Sequence, residues 1–341
     1  MKFSFQVFLF FAYIKFVILV EEDLVITTKA LGAELTSIKY KGREYLHDGK
    51  SFWYKQSPIL FPTVGRLRNG KTKINGKDYE IPMHGFANNM TFQEIGKNSY
   101  VLKSNEETLA QFPFQFELYV SYLIEKNTLT VNYTVKNTND TETMLFGIGG
   151  HPGFKCDYYK EKSFIEFEED EDNIKVIPVN MTNGSSYGLM SNETIDGGEF
   201  LKNKKILEIK KNSFENDAIV FKDIQSKSVF LNDDGKNILK FTFDQFNYLG
   251  IWSAQGNAPY VCLEPWYTTP DYVNSTNEFK DKKDIIKLEP NKTKEISFSV
   301  EFFEIKNGGG IFQIKSLSLL LLIGNLIILF LYIFGNLKIS S

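Results

Sequence analysis

The sequence predicts an all-β fold: one large antiparallel β-sandwich over residues 21–306, flanked by an apolar segment at each end. Three observations carry that prediction. Apolar and polar residues alternate over run after run in the middle of the chain, which is the period of a half-buried strand. Nothing in that region shows the three-to-four spacing of an amphipathic helix. Turn dipeptides containing glycine separate the runs at the short intervals that antiparallel neighbours require.

Taken in chain order, the first element is not part of the sandwich. Residues 5–20 are apolar except for Gln6 and Lys15, which predicts a signal peptide or signal anchor over residues 1–20. The first turns are Lys41-Gly42 and Asp48-Gly49, bracketing a short strand, and Asn75-Gly76, the dipeptide that best supplies the two positive φ values of a type I′ hairpin. Four alternating strands follow: Phe116, Leu118, Val120 and Tyr122; Leu129, Val131, Tyr133 and Val135; Leu239, Phe241 and Phe243; and Ile296, Phe298, Val300 and Phe302. Residues 178–200 are polar and contain Gly184, Gly188, Gly197 and Gly198, which predicts a long surface loop. No internal repeat or domain linker interrupts the region, so a single sandwich is the economical architecture. Residues 316–334 form an uncharged stretch of bilayer-spanning length, expected as a transmembrane helix or, alternatively, a lipid-anchor signal.

Charge and composition narrow the partners. Thirty-nine basic residues face 42 acidic ones and no basic stripe occurs, which argues against nucleic acid. Two cysteines, Cys156 and Cys262, are too few for a disulfide-built scaffold, although one bridge between them is open. Asn-x-Ser/Thr sequons stand at Asn89, Asn132, Asn139, Asn180, Asn183, Asn192, Asn274 and Asn291. With the apolar ends they point to the secretory route, membrane tethering through the C-terminal segment, and a domain facing the cell exterior or a lumen.

Three histidines are present, His47, His84 and His151. His151 follows Gly149-Gly150 and precedes Pro152, a frame that reads as a special turn aiming one side chain. An imidazole there is either a proton-transfer group or a hydrogen-bonded structural residue. Glu264 ends the apolar run Tyr260-Val261-Cys262-Leu263 and is followed by Pro265. It is either a carboxylate tuned for general-base work or a strand-end residue facing water. No His-x-His or His-x₃-His spacing occurs, so neither a metal nor another cofactor is expected. Trp252 and Trp266 are candidate platforms for a sugar ring, and equally candidate core residues.

Five separated motifs bring these residues into one pattern: Leu60-Phe61-Pro62-Thr63-Val64-Gly65-Arg66-Leu67, Asn75-Gly76-Lys77, His84-Gly85-Phe86-Ala87, Gly149-Gly150-His151-Pro152 and Glu264-Pro265-Trp266. Their order and spacing resemble the aldose 1-epimerase (galactose mutarotase-like) family from about Leu24 to Phe303. The resemblance implies a galactose mutarotase-like supersandwich acting on a small sugar, with Glu264 as general base and His151 as general acid. It further implies that His84 bonds the ring region, that Asp217 binds sugar hydroxyls, and that Arg66, or Arg68 two residues on, is the binding arginine. Asn88 stands where related sequences often have arginine, and the neighbouring Asn89 is a sequon. Two other classes stay in view: a non-catalytic sugar-binding surface protein, and a glycoside hydrolase built on Glu264 and Asp217 that leaves the histidines without a role.

Overall fold

The computed structural model describes residues 23–158, 162–182 and 184–305. The chain divides into two units, Met1–Glu304 and Ile305–Ser341, and the fold below is that of the first. The expected signal segment (1–20) and membrane segment (316–334) lie outside the described residues. Among the described residues, no helix is long and apolar enough to cross a membrane.

The all-β expectation is met. Among the described residues one sheet has nine strands, ordered Ile206–Glu208, Phe164–Phe167, Ser228–Asp233, Lys236–Thr242, Thr293–Phe302, Thr128–Asn137, Phe116–Glu125, Ser99–Lys103, Gln93–Gly96. A second, eight-stranded sheet runs Ile195–Asp196, Lys175–Ile177, Ile219–Lys222, Tyr248–Trp252, Tyr260–Trp266, Gly149–Gly150, Ile59–Leu60, with Gly153–Lys155 also paired to Tyr260–Trp266. All the pairings within these sheets are antiparallel.

The alternation seen in the sequence becomes the rungs of the large sheet. Val131 lies opposite Tyr122 on one side and Phe298 on the other, Tyr133 opposite Val120 and Ile296, and Phe241 opposite Val300. These side chains share one buried face, because a strand's side chains alternate faces with period two. The smaller sheet meets that face through ring pairs, Phe154 with Phe241 at 6.0 Å and Phe221 with Phe167 at 5.4 Å. Replacing a ring such as Phe298, 3% exposed, by alanine costs about 3–5 kcal/mol. The Asn75-Gly76 turn adopts φ 51° and 78° and closes the hairpin in which Ile74 pairs Lys77.

Three local expectations change. Gly149 and Gly150 belong to a strand instead of a special turn; their missing side chains leave room, since a Cβ on Gly150 would meet Phe298 at 2.9 Å. Residues 178–200 are more than surface loop, because Met190 packs in a core cluster with Leu60, Tyr248 and Trp266. Cys156 and Cys262 are both buried and unbridged. Of the sequon asparagines, Asn183 lies outside the described residues and none of the other seven is buried.

Candidate active site

Two adjacent strands build the floor. In their register Trp252 faces Cys262, Gly250 faces Glu264, and Tyr248 faces Trp266. Pro265 does not end the strand, which runs on to Trp266, so the water-facing alternative for Glu264 is overturned: the residue is 1% exposed. Glu264 and Trp266 are two apart and share a face, and the Trp266 Nε1–H donates to Glu264 Oε2 at 3.2 Å. Gly250 makes room for both, because a Cβ there would come within 2.9 Å of the Trp266 ring and 3.3 Å of Glu264 Cβ.

His151 sits between the strands Gly149–Gly150 and Gly153–Lys155, which both pair with the Glu264 strand. That pairing sets its imidazole against the carboxylate, with Nε2 3.2 Å from Glu264 Oε2. Three rings enclose the imidazole: Trp53 at 4.6 Å, His84 at 5.5 Å and Trp252 at 5.6 Å between centroids. Burial pushes the Glu264 carboxyl well above the ordinary carboxylate range; the Trp266 N–H opposes the shift and the charge of Asp217 adds to it. Burial likewise holds His151 well below its usual value, helped by His84 and His47. The pair resists carrying net charge.

A cleft of about 440 Å³ opens over this pair. His84, Arg66, Asp217 and Trp252 all line it, so the six residues singled out in the sequence converge. His84 accepts a hydrogen bond at Nδ1 from the Gly65 N–H, 3.2 Å, which leaves its ring proton on Nε2. Burial and the Arg66 charge lower its pKa to about 4, so it is neutral at pH 7. Asp217, at φ 70°, accepts from the Ala218 N–H at 2.8 Å; burial raises its carboxyl. The two arginines are placed differently. Arg66 lines the cleft beneath the Tyr187 ring, 5.9 Å away, whereas Arg68 donates from Nη1 to the Ser275 carbonyl at 2.9 Å and is not a lining residue.

Sequence reasoning missed Trp53 and Lys55. Both lie in the loop after Asp48-Gly49 and both line the cleft. The run Phe52-Trp53-Tyr54, three aromatics in a polar loop, was the available signal. It also missed the wall formed by Met181, Tyr187 and Gly188. Asn88 faces the cleft, and the Lys55 ammonium donates to the Asn88 carbonyl at 2.9 Å and to Asn89 Oδ1 at 2.8 Å. Cys262 lies beside the pair, and donor atoms of His151, Cys262 and Glu264 fall within 4.8 Å of one another. Two of them are already bonded together, and zinc bonds of about 2.0–2.3 Å would require the three to draw inward.

Comparison with known proteins adds the lineage. The family model described as aldose 1-epimerase matches residues 17–297. The chain belongs to the aldose 1-epimerase family. The match begins inside the expected signal segment and takes in every residue of the cleft described above. The chromosomal LacX protein of Lactococcus lactis subsp. lactis is 32% identical over 292 residues, 82% of this chain and 96% of that protein. A galactose mutarotase related enzyme of Lactobacillus acidophilus is similar in structure, with TM-score 0.76 and 27% identity over 85% of this chain and 98% of that one. A galactose mutarotase-like protein from Lactobacillus casei ATCC 334 shares the fold, with TM-score 0.75 and 24% identity over 82% and 97%. The fold is therefore galactose mutarotase-like, and the family's chemistry is that of isomerases.

Proposed function

We propose that this aldose 1-epimerase family member interconverts the α and β anomers of a free hexose, with Glu264 as base and His151 as acid. The observation that carries the reading is the buried Glu264–His151 contact at 3.2 Å on the floor of a sugar-sized cleft. The two oxygens that must exchange protons, O1 and O5, are carried by the same anomeric carbon. An acid and a base on one cleft floor, a few ångströms apart, can therefore reach both oxygens of a single bound sugar.

In the opening step Glu264 takes the proton of the anomeric hydroxyl while His151 delivers one to O5, and the C1–O5 bond breaks to give the open-chain aldehyde. Carboxylate and imidazolium become carboxylic acid and neutral imidazole, so one proton is gained and one lost. Rotation about C1–C2 turns the other face of the carbonyl toward the hydroxyl, and closure reverses both transfers. Because burial disfavours each charged form, the open-chain state of the cycle, with both groups neutral, is favoured where solution chemistry opposes it. His84 offers its Nε2–H to the ring region, Asp217 and Arg66 bind hydroxyls, and Trp252 or Trp53 covers an apolar sugar face. Polarimetry or NMR on freshly dissolved α-glucose and α-galactose tests this: acceleration of anomer exchange is expected, and none with either sugar or other free hexoses refutes it.

The compartment is part of the proposal. Exposed or half-exposed sequon asparagines and the two apolar ends support a domain facing the exterior or a lumen and tethered through the C-terminal segment. Glycosidase treatment of protein from its native host should raise its gel mobility; an unchanged band contradicts that orientation.

A further inference from the structure

His47 takes no part in the chemistry above, yet it is 3% exposed and bonded on every side. Its backbone N–H donates to the Gly153 carbonyl at 3.0 Å, and its carbonyl accepts from Gln56 Nε2 at 2.7 Å. The ring closes a loop. Nδ1 accepts from the Gly49 N–H at 3.2 Å, and Nε2 pairs with the Lys55 carbonyl, so one imidazole ties the first residues of the 48–55 segment to its last. The neutral ring with its proton on Nε2 satisfies both contacts, and burial lowers its pKa and so favours that form.

The same ring sits in a row of aromatic side chains. It stacks on Tyr260 of the floor strand at 4.4 Å and on Trp53 at 5.2 Å with only 13° between planes, and Trp53 in turn covers His151 at 4.6 Å. Gly153, two residues beyond His151, lacks a side chain where His47 Cδ2 would lie 2.9 Å from a Cβ. Other contacts also hold the loop: Asp48 Oδ1 accepts from the Lys50 and Ser51 N–H groups at 2.9 and 3.0 Å, Trp252 meets Trp53 at 5.7 Å, and the Lys55 ammonium bonds Asn88 and Asn89. Phe52 and Tyr54, on either side of Trp53, are 54% and 85% exposed, and Phe52 is at φ 68°, a backbone conformation that costs a bulky residue of order 1–3 kcal/mol unless its surroundings impose it.

We infer that His47 is a positioning residue: by clasping the 48–55 loop it seats Trp53 against His151 and so fixes the acid's ring and one wall of the sugar cleft. The consequence for rate rests on the mutarotase reading; the consequence for the loop does not. Orientation of a proton-transfer group is sensitive to displacements of about 1 Å, which can cost up to roughly 10²-fold in rate.

The test compares wild type, His47→Ala, His47→Phe and Trp53→Ala by anomer-exchange kinetics and amide hydrogen exchange of the full chain. For His47→Ala the expected result is kcat lowered about tenfold or more, KM raised, and faster exchange over residues 49–55 while the strands Phe116–Glu125 and Thr128–Asn137 are unchanged. His47→Phe keeps the stack but loses both ring hydrogen bonds, so it should recover only part of the kcat and still show faster exchange over residues 49–55. In a Trp53→Ala background, His47→Ala should change kcat less than about twofold, since the two act through one path. Unchanged kinetics in a folded His47→Ala protein, unchanged exchange over 49–55, or additive effects with Trp53→Ala overturns the inference. If His47→Ala does not fold, the exchange of the 49–55 segment in His47→Phe decides, because loss of both ring hydrogen bonds must loosen it. An inactive wild type with exchange as expected refutes the mutarotase reading and leaves the clasp standing.

Discussion

Glu264→Gln isolates the base with almost no change in shape. The glutamine carbonyl can keep the bond from the Trp266 Nε1–H, which now meets Glu264 Oε2. The same oxygen faces His151 Nε2, so that carbonyl can also accept from the imidazole, and the ring keeps its proton on Nε2. The substitution therefore removes the base and leaves the imidazole in place. Loss of a general base costs about 10²–10⁴-fold in kcat, or roughly 3–5.5 kcal/mol. Sugar affinity should change much less, because Arg66, Asp217 and His84 remain. Stability moves the other way. A carboxyl whose folded pKa is raised binds protons more tightly in the folded state, so it weakens the fold as pH rises above the unfolded value near 4.3, and glutamine removes that penalty at pH 7. The assay is polarimetric mutarotation beside chemical denaturation. A folded Glu264→Gln protein with kcat within threefold of wild type refutes the acid–base assignment.

Three further outcomes follow from the same geometry. His84 has a folded pKa of about 4 against 6.5 unfolded, so the unfolded chain binds the extra proton between those values and stability rises with pH across that window; His84→Asn, tolerant of φ 66°, should flatten the slope measured by denaturation at pH 4.5 and 6.5. Gly150→Ala forces a Cβ to 2.9 Å from the Phe298 ring and 3.1 Å from the Tyr133 hydroxyl, with an expected loss of about 1–3 kcal/mol in urea denaturation and a reduced kcat through displacement of His151. Neutral hexoses should be preferred over hexose 6-phosphates in kcat/KM, because the Lys55 ammonium is engaged by Asn88 and Asn89 and the remaining cleft arginine, Arg66, is one fork where phosphate recognition usually uses several donors; the opposite order would show that Lys55 turns to the substrate.

What was legible in the sequence was whatever local periodicity or motif spacing encodes. The strands at 116–125, 128–137 and 293–302 were readable because period-two burial is a property of each strand alone, and their mutual register then followed from keeping apolar rungs on one face. Glu264 and His151 were readable as a pair only through motif order, since the 3.2 Å contact depends on pairing between strands more than a hundred residues apart. Trp53, Lys55 and His47 were not legible as site residues. They lie in segments without periodicity, and the ring stack that joins His47 and Trp53 crosses from the loop to Tyr260 and back to His151. The glycines before His151 were noticed for the wrong reason: they answer crowding by Phe298 and Pro265 and not a need for positive φ.

The burial of the proposed acid and base has an electrostatic consequence. A lone carboxylate at 1% exposure would bear a desolvation cost with no compensating cation, and none of the lysines or arginines among the described residues makes an ion pair with Glu264. The fold supplies instead a neighbouring imidazole, held by the pairing of the strands on either side of it with the floor strand and surrounded by the rings of Trp53, His84 and Trp252. Placing a cation beside the pair, as in Cys262→Arg, would stabilise the carboxylate and repel the imidazolium, fixing one protonation state of a cycle that needs two. On the proposed mechanism, proton transfer to and from the sugar with the pair's charge neutral overall in both halves is what this site must preserve.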